Sequence, residues 1–331
     1  MKKVERVHNA VEGKATDHIP FSFWTHMAGY DMDPCQLAEK TYEFFKEYDV
    51  DIIKTMSNGM YSVEDFGCTL DQSQVKFGGV TKIASSPIDS PKDWNKIKAQ
   101  DIHTGALARE LQSLKFLLEK TKGDVPIVFT IMSPMTTAEK LTGGAVIDHL
   151  LDGHADDVLP ALDAITETTC ALADEAIKIG ASGIFFASQI EFYGRKDEDF
   201  CLQFEKPYDL KVIKAASQGW CNILHAHGKE IMFDVLKNYP VQVFNWHIGE
   251  SLPDPDELLE LFPYSIMGGL DRMCVKENKR SQLHSQIYKI IKKSNGKRLI
   301  VSPGCVVRLP FNKSAIAYIK NTIHEMESIC N

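Results

Sequence analysis

Eight short runs rich in β-branched and aromatic residues recur along the chain, and a helical pattern follows each of them. They span residues 20–24, 51–56, 126–132, 182–188, 221–227, 241–246, 264–269 and 298–304. This alternation predicts a parallel sheet, and eight repeats favour closure into a (β/α)8 TIM barrel. The doubly wound alternative normally shows a glycine-rich turn after its first strand, and "FWTHMAGYD" lacks that fingerprint.

The length of the chain fits one such barrel. We expect its 331 residues to form a single domain spanning residues 1–331. The second and third predicted strands are separated by residues 57–125, which we interpret as an insertion or flap over one end of the barrel. Within it, "QVKFGGVTKIASS" predicts a β-hairpin.

Composition excludes several classes of protein. The formal net charge is −8 and the basic residues are dispersed, which argues against a nucleic-acid partner. We expect no membrane association, because no apolar run approaches the ~18 residues of a membrane span. The amino-terminal stretch carries no apolar signal region, so we expect a cytoplasmic protein. The eight cysteines include no C-x-x-C pair and occur without a secretory context, so we expect no disulfide framework. The sequence does not decide between a monomer and a homodimer.

Two histidines end the fifth predicted strand in "CNILHAHGKEI". His225 and His227 are two residues apart, so they point to the same side of the strand. Cys305 follows the eighth strand, and a closed barrel brings both strand ends to its catalytic face. Two imidazoles and a thiolate would hold zinc with one position left open. The plainer alternative is a hydrogen-bonded histidine pair and a buried cysteine that behaves as a small hydrophobic residue.

Other strand ends carry polar side chains of matching parity. Gln189 and Glu191 share a face past the fourth strand, and Asn245 and His247 share one past the sixth. Each pair could line the pocket or lie in a solvated loop. Glu191 is of special interest, because a carboxylate near zinc can be a ligand or a base.

Several segments resemble the uroporphyrinogen decarboxylase superfamily over nearly the whole chain. They are "RVHNAVEGKATDHIPFSFW", "EDFCLQFEKPYDLKVIKAA" and "GGLDR". In the decarboxylases themselves, early arginines hold substrate carboxylates and an aspartate follows the second strand. Here His26 and Tyr30 stand in place of the arginines, and Asn58 replaces the aspartate. Neither change preserves the charge that porphyrin decarboxylation needs, so that activity is disfavoured.

A second branch of this superfamily consists of zinc-dependent corrinoid methyltransferases, and "HAH" and "PGC" are similar to its metal motif. His227 stands where that motif has its first cysteine. A site with two histidines and one cysteine is a stronger Lewis acid than one with two thiolates, which suits the release of a heteroatom when methyl passes to cob(I)alamin. The resemblance implies Zn²⁺ held by His225, His227 and Cys305, and a corrinoid (cobalamin) carried by a partner protein. It also implies a small-molecule methyl donor or thiol acceptor.

The expected reaction and the positions at the strand ends indicate roles for the remaining side chains. We expect His26, Tyr30 and Tyr193 to protonate or orient the leaving group, and Glu191 to be a fourth metal ligand when substrate is absent. Asn58, Gln189, Asn245 and His247 are candidate substrate contacts. Two alternatives stay open: a decarboxylase or lyase acting on a non-porphyrin substrate, and a non-catalytic corrinoid- or tetrapyrrole-binding protein.

Overall fold

Seven strands of the described residues form one parallel sheet whose order follows the chain. The structure is a computed structural model, and it describes residues 1–77, 79–248, 251–254 and 264–330. The sheet strands are β1 (Ile53–Lys54), β4 (Ile127–Met132), β5 (Gly183–Ser188), β6 (Ile223–Ala226), β7 (Val243–Trp246), β8 (Ser265–Leu270) and β9 (Leu299–Pro303). Nearly all their residues are buried, as expected for strands covered on both faces.

The extended segment 20–24 closes this sheet into a barrel. On one side the Ser22 amide donates to the Val301 carbonyl at 3.0 Å, and on the other the Asp51 amide donates to the Phe21 carbonyl at 2.8 Å. Phe21 makes a single parallel bridge to Val301, so the first predicted strand is an extended segment with one bridge. The other seven predicted strands and the (β/α)8 fold are confirmed.

Helices connect the strands and cover the outside of the barrel. Several begin where the sequence supplies a cap, such as Asp33, whose carboxylate accepts from the Gln36 amide at 2.7 Å. The helices of the described residues are α1 (Lys3–Val11), α2 (Pro34–Tyr48), α3 (Tyr61–Glu64), α4 (Gly105–Thr121), α5 (Pro134–Leu141), α6 (Val146–Leu151), α7 (Ala155–Ile179), α8 (Glu198–Phe204), α9 (Lys206–Ala215), α10 (Phe233–Leu236), α11 (Arg272–Lys276), α12 (Arg280–Ser294) and α13 (Lys313–Cys330). In the part of the chain that the structure describes, no helix combines the length and the apolar character needed to cross a bilayer.

The excursion after β1 contains an antiparallel strand pair, of which only the second strand falls within the predicted hairpin segment 74–86. Its antiparallel strands are β2 (Thr69–Asp71) and β3 (Lys82–Ser85), with short 3₁₀ helices at Val75–Phe77 and Pro91–Lys96. The excursion ends in α4, which packs against α2 and leads into β4 as a crossover helix of the barrel. Thr81, just before β3, lines the central cavity, so the hairpin side of the excursion forms part of the cavity wall.

Asp51 holds the closing segment in place. Its buried carboxylate accepts from the Phe21 amide at 2.9 Å and from the Arg6 guanidinium at 2.7 Å. Burial alone would raise the pKa of Asp51, but hydrogen bonds and positive charge from His18, Lys3 and the Phe21 amide lower it to about 2. The ionised carboxylate therefore stabilises the closed barrel.

Asp51→Asn should lower the free energy of unfolding at pH 7 by about 2–3 kcal/mol, because a charge-assisted buried pair is lost. A carboxylate whose folded pKa is depressed stabilises the protein above its unfolded value near 4, and this contribution disappears as the pH falls toward 2. Urea unfolding at pH 7 and pH 3 measures both effects. Asp49→Asn is the control, because its exposed pair with Lys3 should contribute under ~1 kcal/mol. Equal stability of the two variants at pH 7 would contradict this account.

Candidate metal centre and cavity

The carboxyl ends of the strands surround a cavity of about 230 Å³. In parallel barrels this is the end where functional side chains gather. Six of the residues singled out from the sequence line it: His26, Asn58, Gln189, His225, His227 and Cys305. The cavity is smaller than the roughly 300–1,000 Å³ typical of drug-sized ligands, so it suits a small molecule.

His225, at the end of β6, is held in one tautomer by Asn245 on β7. The Asn245 side-chain amide donates to the Met267 carbonyl at 2.7 Å, which leaves its oxygen to face Nδ1 of His225 at 2.5 Å. An oxygen in that place accepts a hydrogen bond, so the proton sits on Nδ1 and the lone pair lies on Nε2. That Nε2 lies 3.9 Å from Sγ of Cys305.

The metal-binding atoms of His225, His247 and Cys305 lie within 4.8 Å of one another, and all three side chains are buried. Burial lowers the pKa of His225 well below its ordinary value and lowers that of His247 to about 4. Both rings are therefore neutral at pH 7, which is the form that binds a metal. Two imidazoles and a thiolate are a suitable donor set for zinc.

His227 lies beside this group. It is half-buried, and its ring centroid is 5.9 Å from that of His225 and 4.1 Å from that of His247. The alternation of side chains along a strand predicts His227 as the third ligand. However, β6 ends at Ala226, before His227. The ligand atoms that lie within 4.8 Å of one another are those of His225, His247 and Cys305. From its position in the sequence, His247 is expected to contact substrate. Its role and that of His227 stay predictions.

The predicted substrate contacts divide between the cavity wall and the layer behind it. The Asn58 amide donates to the Thr81 hydroxyl at 3.1 Å at the wall, and Gln189 also lines the cavity. Asn245 is fully buried and bonded to His225, so its contacts support the metal-binding group. Burial, with nearby lysine and arginine charge, lowers the pKa of His26 to about 4, so its ring is a neutral hydrogen-bonding group at pH 7.

Three predicted catalytic residues, Glu191, Tyr193 and Tyr30, do not line the cavity. Glu191 is buried, accepts from the Tyr239 hydroxyl at 2.7 Å, and lies with Cys201 and Glu205 in a cluster separate from the histidines. Tyr193 is exposed and bonds Glu198, while Tyr30 is exposed next to the cavity. None of the three is among the described residues that line the cavity.

The cavity wall carries cations that no motif or periodicity in the sequence indicates. Lys54, Lys140, Arg272 and Arg308 all line it, together with the carboxylate of Asp31. Lys54 could have been noticed, since it is a lysine inside the otherwise apolar run "DIIKTM". The others lie at the ends of helices or in loops, where no periodicity indicates which way a side chain points.

The fold and the donor set define a (β/α)8-barrel protein with a candidate transition-metal centre at the mouth of the barrel. The chain belongs to the uroporphyrinogen decarboxylase (URO-D) family, whose model matches residues 2–326.

The chain is also similar to curated proteins and to a solved structure. The methylcobamide:CoM methyltransferase MtbA of Methanosarcina mazei is 25% identical over 167 residues, which cover 50% of this chain and 48% of the relative. The MtbA of Methanosarcina acetivorans is 21% identical over 231 residues, covering 65% and 66%. The chain thus matches about half to two thirds of these relatives' lengths. The structure of a methyltransferase from Methanosarcina mazei superposes with a TM-score of 0.85 at 17% identity, covering 98% of this chain and 99% of that one, so the two share a fold.

Lys140 should reduce the stability of the protein at low pH. Burial lowers its pKa from 10.5 to about 7, so the unfolded chain binds more protons between those values and stability rises with pH across that window. Lys140→Met should therefore raise the melting temperature at pH 6, and the gain should shrink toward pH 10. Thermal unfolding at both pH values measures this, with exposed Lys178→Met as the control. A lower melting temperature for Lys140→Met at pH 6 would contradict the prediction.

Proposed function

We propose that this protein is a zinc-dependent methyltransferase that moves a methyl group between the corrinoid of a partner protein and the heteroatom of a small molecule. The observation that carries the proposal is the group of His225, His247 and Cys305, of which His225 and Cys305 line the cavity, with the His225 tautomer fixed by Asn245. Membership of the URO-D family and the names of the MtbA relatives support the same chemistry.

The residues of the chain would hold the metal and orient the small molecule. When bound, zinc supplies Lewis-acid chemistry to the heteroatom. Asn245 keeps Nε2 of His225 unprotonated, and Phe185 stacks on the His225 ring with centroids 5.0 Å apart, which limits its rotation. Asn58 and Gln189 offer amide hydrogen bonds at the cavity wall. These contacts would hold the reacting group in one orientation. Such positioning accounts for a large part of the rate enhancement of enzymes.

The rim of the cavity suits a macromolecular partner. Tyr30, Met273 and Leu309 are exposed, and each directly precedes or follows a residue of the cavity wall. Arg308, also at the cavity, is exposed. Aromatic residues, methionine and arginine are enriched in protein interfaces. A corrinoid protein that docks here would bring its cofactor to the opening of the cavity.

Metal analysis tests the ligand set. The protein refolded or expressed with zinc should hold about one ion per chain. His225→Ala, His247→Ala and Cys305→Ala should each remove it, and Asn245→Leu should weaken binding by about 10- to 100-fold because it frees the His225 ring. The exposed His103→Ala is the matched control. Loss of zinc from His227→Ala with retention in His247→Ala would replace the ligand set by the one expected from the sequence.

A cobalamin assay tests the reaction. The zinc-loaded protein should accelerate demethylation of methylcobalamin by 3-mercaptopropionate, followed as the change in cobalamin absorbance. Cys305→Ala should lower this rate by at least ~10²-fold, because the metal no longer activates the thiol. His103→Ala should keep the full rate. An equal rate in the wild type, in Cys305→Ala and without protein would overturn the methyltransferase proposal.

A further inference from the structure

A second group of buried ionisable side chains lies outside the cavity, beside the β5 loop (residues 189–197). Its carboxyl groups are those of Glu191 in that loop, Glu205 at the junction of α8 and α9, and Asp209 in α9, and all three are buried. The Tyr239 hydroxyl lies between two of them, 2.7 Å from Oε1 of Glu191 and 3.0 Å from Oδ2 of Asp209. Three separate segments of the chain therefore meet at one phenol.

The number of hydrogens at Tyr239 determines the state of the two carboxyl groups. A phenol has one hydrogen, so it donates to one carboxylate and can only accept from the other group. Buried carboxylates normally have donors, yet Oε2 of Glu191 and Oδ1 of Asp209 have none within the described residues. Two ionised groups here would face each other with like charge and too few donors. One of the two carboxyl groups therefore carries a proton and donates it to the Tyr239 oxygen.

Asp209 is the group that holds this proton. Burial raises the pKa of Asp209 well above its ordinary value, and the negative charge of Glu191 raises it further. A protonated carboxyl group has one O–H to donate. Asp209 thus donates to Tyr239, and Tyr239 donates to Glu191, which is ionised.

The charged groups that face this carboxyl pair come from the β5 loop, α9 and α5. Lys196 in the β5 loop forms an ion pair with Glu205. Lys206, the first residue of α9, has its ammonium 5.9 Å from the ring centroid of Tyr239. Glu139 on α5 adds negative charge near Lys196. Because the Lys196 ammonium is engaged, the shared proton is what reduces the charge of the carboxyl pair.

Cys201 on α8 contributes a neutral thiol. Its sulfur lies 3.2 Å from Oε2 of Glu205 and 4.0 Å from Oε1 of Glu191. Burial, and then the negative charge of Glu191, raises the pKa of this thiol, so it keeps its hydrogen and donates to Glu205. The ligand atoms of these three residues lie within 4.8 Å of one another, but the Lys196 ammonium already supplies positive charge at Glu205.

The β5 loop is joined to the β6 loop (residues 227–232) by backbone pairing. Phe192 and Ile231 form an antiparallel bridge. The Met232 amide donates to the Glu191 carbonyl at 3.0 Å. The residue whose side chain accepts from the phenol therefore also connects the two loops through its main chain.

Each of these loops carries a residue of the cavity wall. Gln189 lies two residues before Glu191, and His227 is the first residue of the β6 loop. Gly228 follows it with φ of +117°, and a Cβ there would lie 3.0 Å from the Phe192 ring, so the loops are in close contact. A network that holds Glu191 in place therefore holds both loops at the cavity.

We propose that Asp209, Tyr239 and Glu191 form a buried hydrogen-bonded chain with one shared proton, and that this chain holds the β5 and β6 loops together. At alkaline pH the Asp209 O–H bond breaks and its proton passes to hydroxide or water. Two facing carboxylates then remain, and their repulsion loosens the loops. The chain needs neither zinc nor methyl transfer.

Hydrogen exchange of the wild-type protein as a function of pH tests this proposal. The amides of Met232 and Tyr193 both donate across the two loops, so their exchange reports loop opening. The raised pKa of Asp209 favours the closed loops at low pH, and this contribution is lost as the pH rises. Since opening releases one proton, its equilibrium constant should increase about tenfold per pH unit between pH 6 and pH 8. Protection factors, which correct for faster intrinsic exchange at high pH, measure this slope.

Two substitutions distinguish a shared proton from a purely structural contact. Asp209→Asn places an amide N–H where the acid O–H stands, so the loops should stay protected at pH 6 and the pH slope should disappear. Tyr239→Phe removes the bridging hydroxyl and should lower the protection at pH 6 by at least ~10-fold, because a buried carboxylate loses its donor. Asp163→Asn, in an exposed ion pair on α7, is the matched control and should keep both the protection and the slope.

Two results would overturn the proposal. One is a wild-type opening constant that does not change with pH, and this measurement needs no variant. The other is an unchanged slope in Asp209→Asn, because the titrating proton would then lie elsewhere. Infrared difference spectra provide an independent readout: wild type minus Asp209→Asn at pH 7 should contain the C=O band of a protonated carboxyl group, and a carboxylate band in its place would contradict the assignment.

Discussion

The hydrogen bond between Asn245 and His225 links the barrel to its chemistry. Asn245 can offer only its oxygen to the ring, because its NH₂ group is already bonded to the Met267 carbonyl on β8. Three adjacent strands thus determine which nitrogen of one imidazole is available. The grouping of that nitrogen with the sulfur of Cys305 follows from closure of the sheet, which in turn needs the extended segment 20–24 and Asp51. Fold and site therefore depend on the same backbone pairings.

Burial lowers the pKa values of two sets of basic residues, three histidines and two lysines, and their charge at neutral pH differs because their ordinary pKa values differ. It keeps His225, His247 and His26 neutral, so that their nitrogens can bind a metal or a hydrogen-bonding group. It leaves Lys54 and Lys140 as ammonium groups with lowered pKa values near neutrality. The cavity wall thus combines neutral imidazoles with basic amines whose charge changes near neutral pH.

Much of the fold could be predicted from the sequence, because alternating strand and helix patterns specify a parallel barrel. The first predicted strand differs from the other seven, because only Phe21 of the segment 20–24 makes a bridge. Parity predicts that His225 and His227 point to the same side, and both line the cavity, but it does not predict the direction of Glu191, which lies beyond the end of its strand. There the loop decides the direction of the side chain, and Glu191 turns to Tyr239. Lys140 lies at the end of α5, where no sequence pattern indicates that its side chain enters the cavity.

Zinc K-edge X-ray absorption of the zinc-loaded protein examines the central claim most directly. If His225, His247 and Cys305 hold the ion, the spectrum should show two nitrogen ligands at about 2.0–2.1 Å, one sulfur at about 2.3 Å and one further light atom. Addition of 3-mercaptopropionate should then replace the light atom by a second sulfur. A first shell without sulfur, or one that stays unchanged when the thiol is added, would contradict the account.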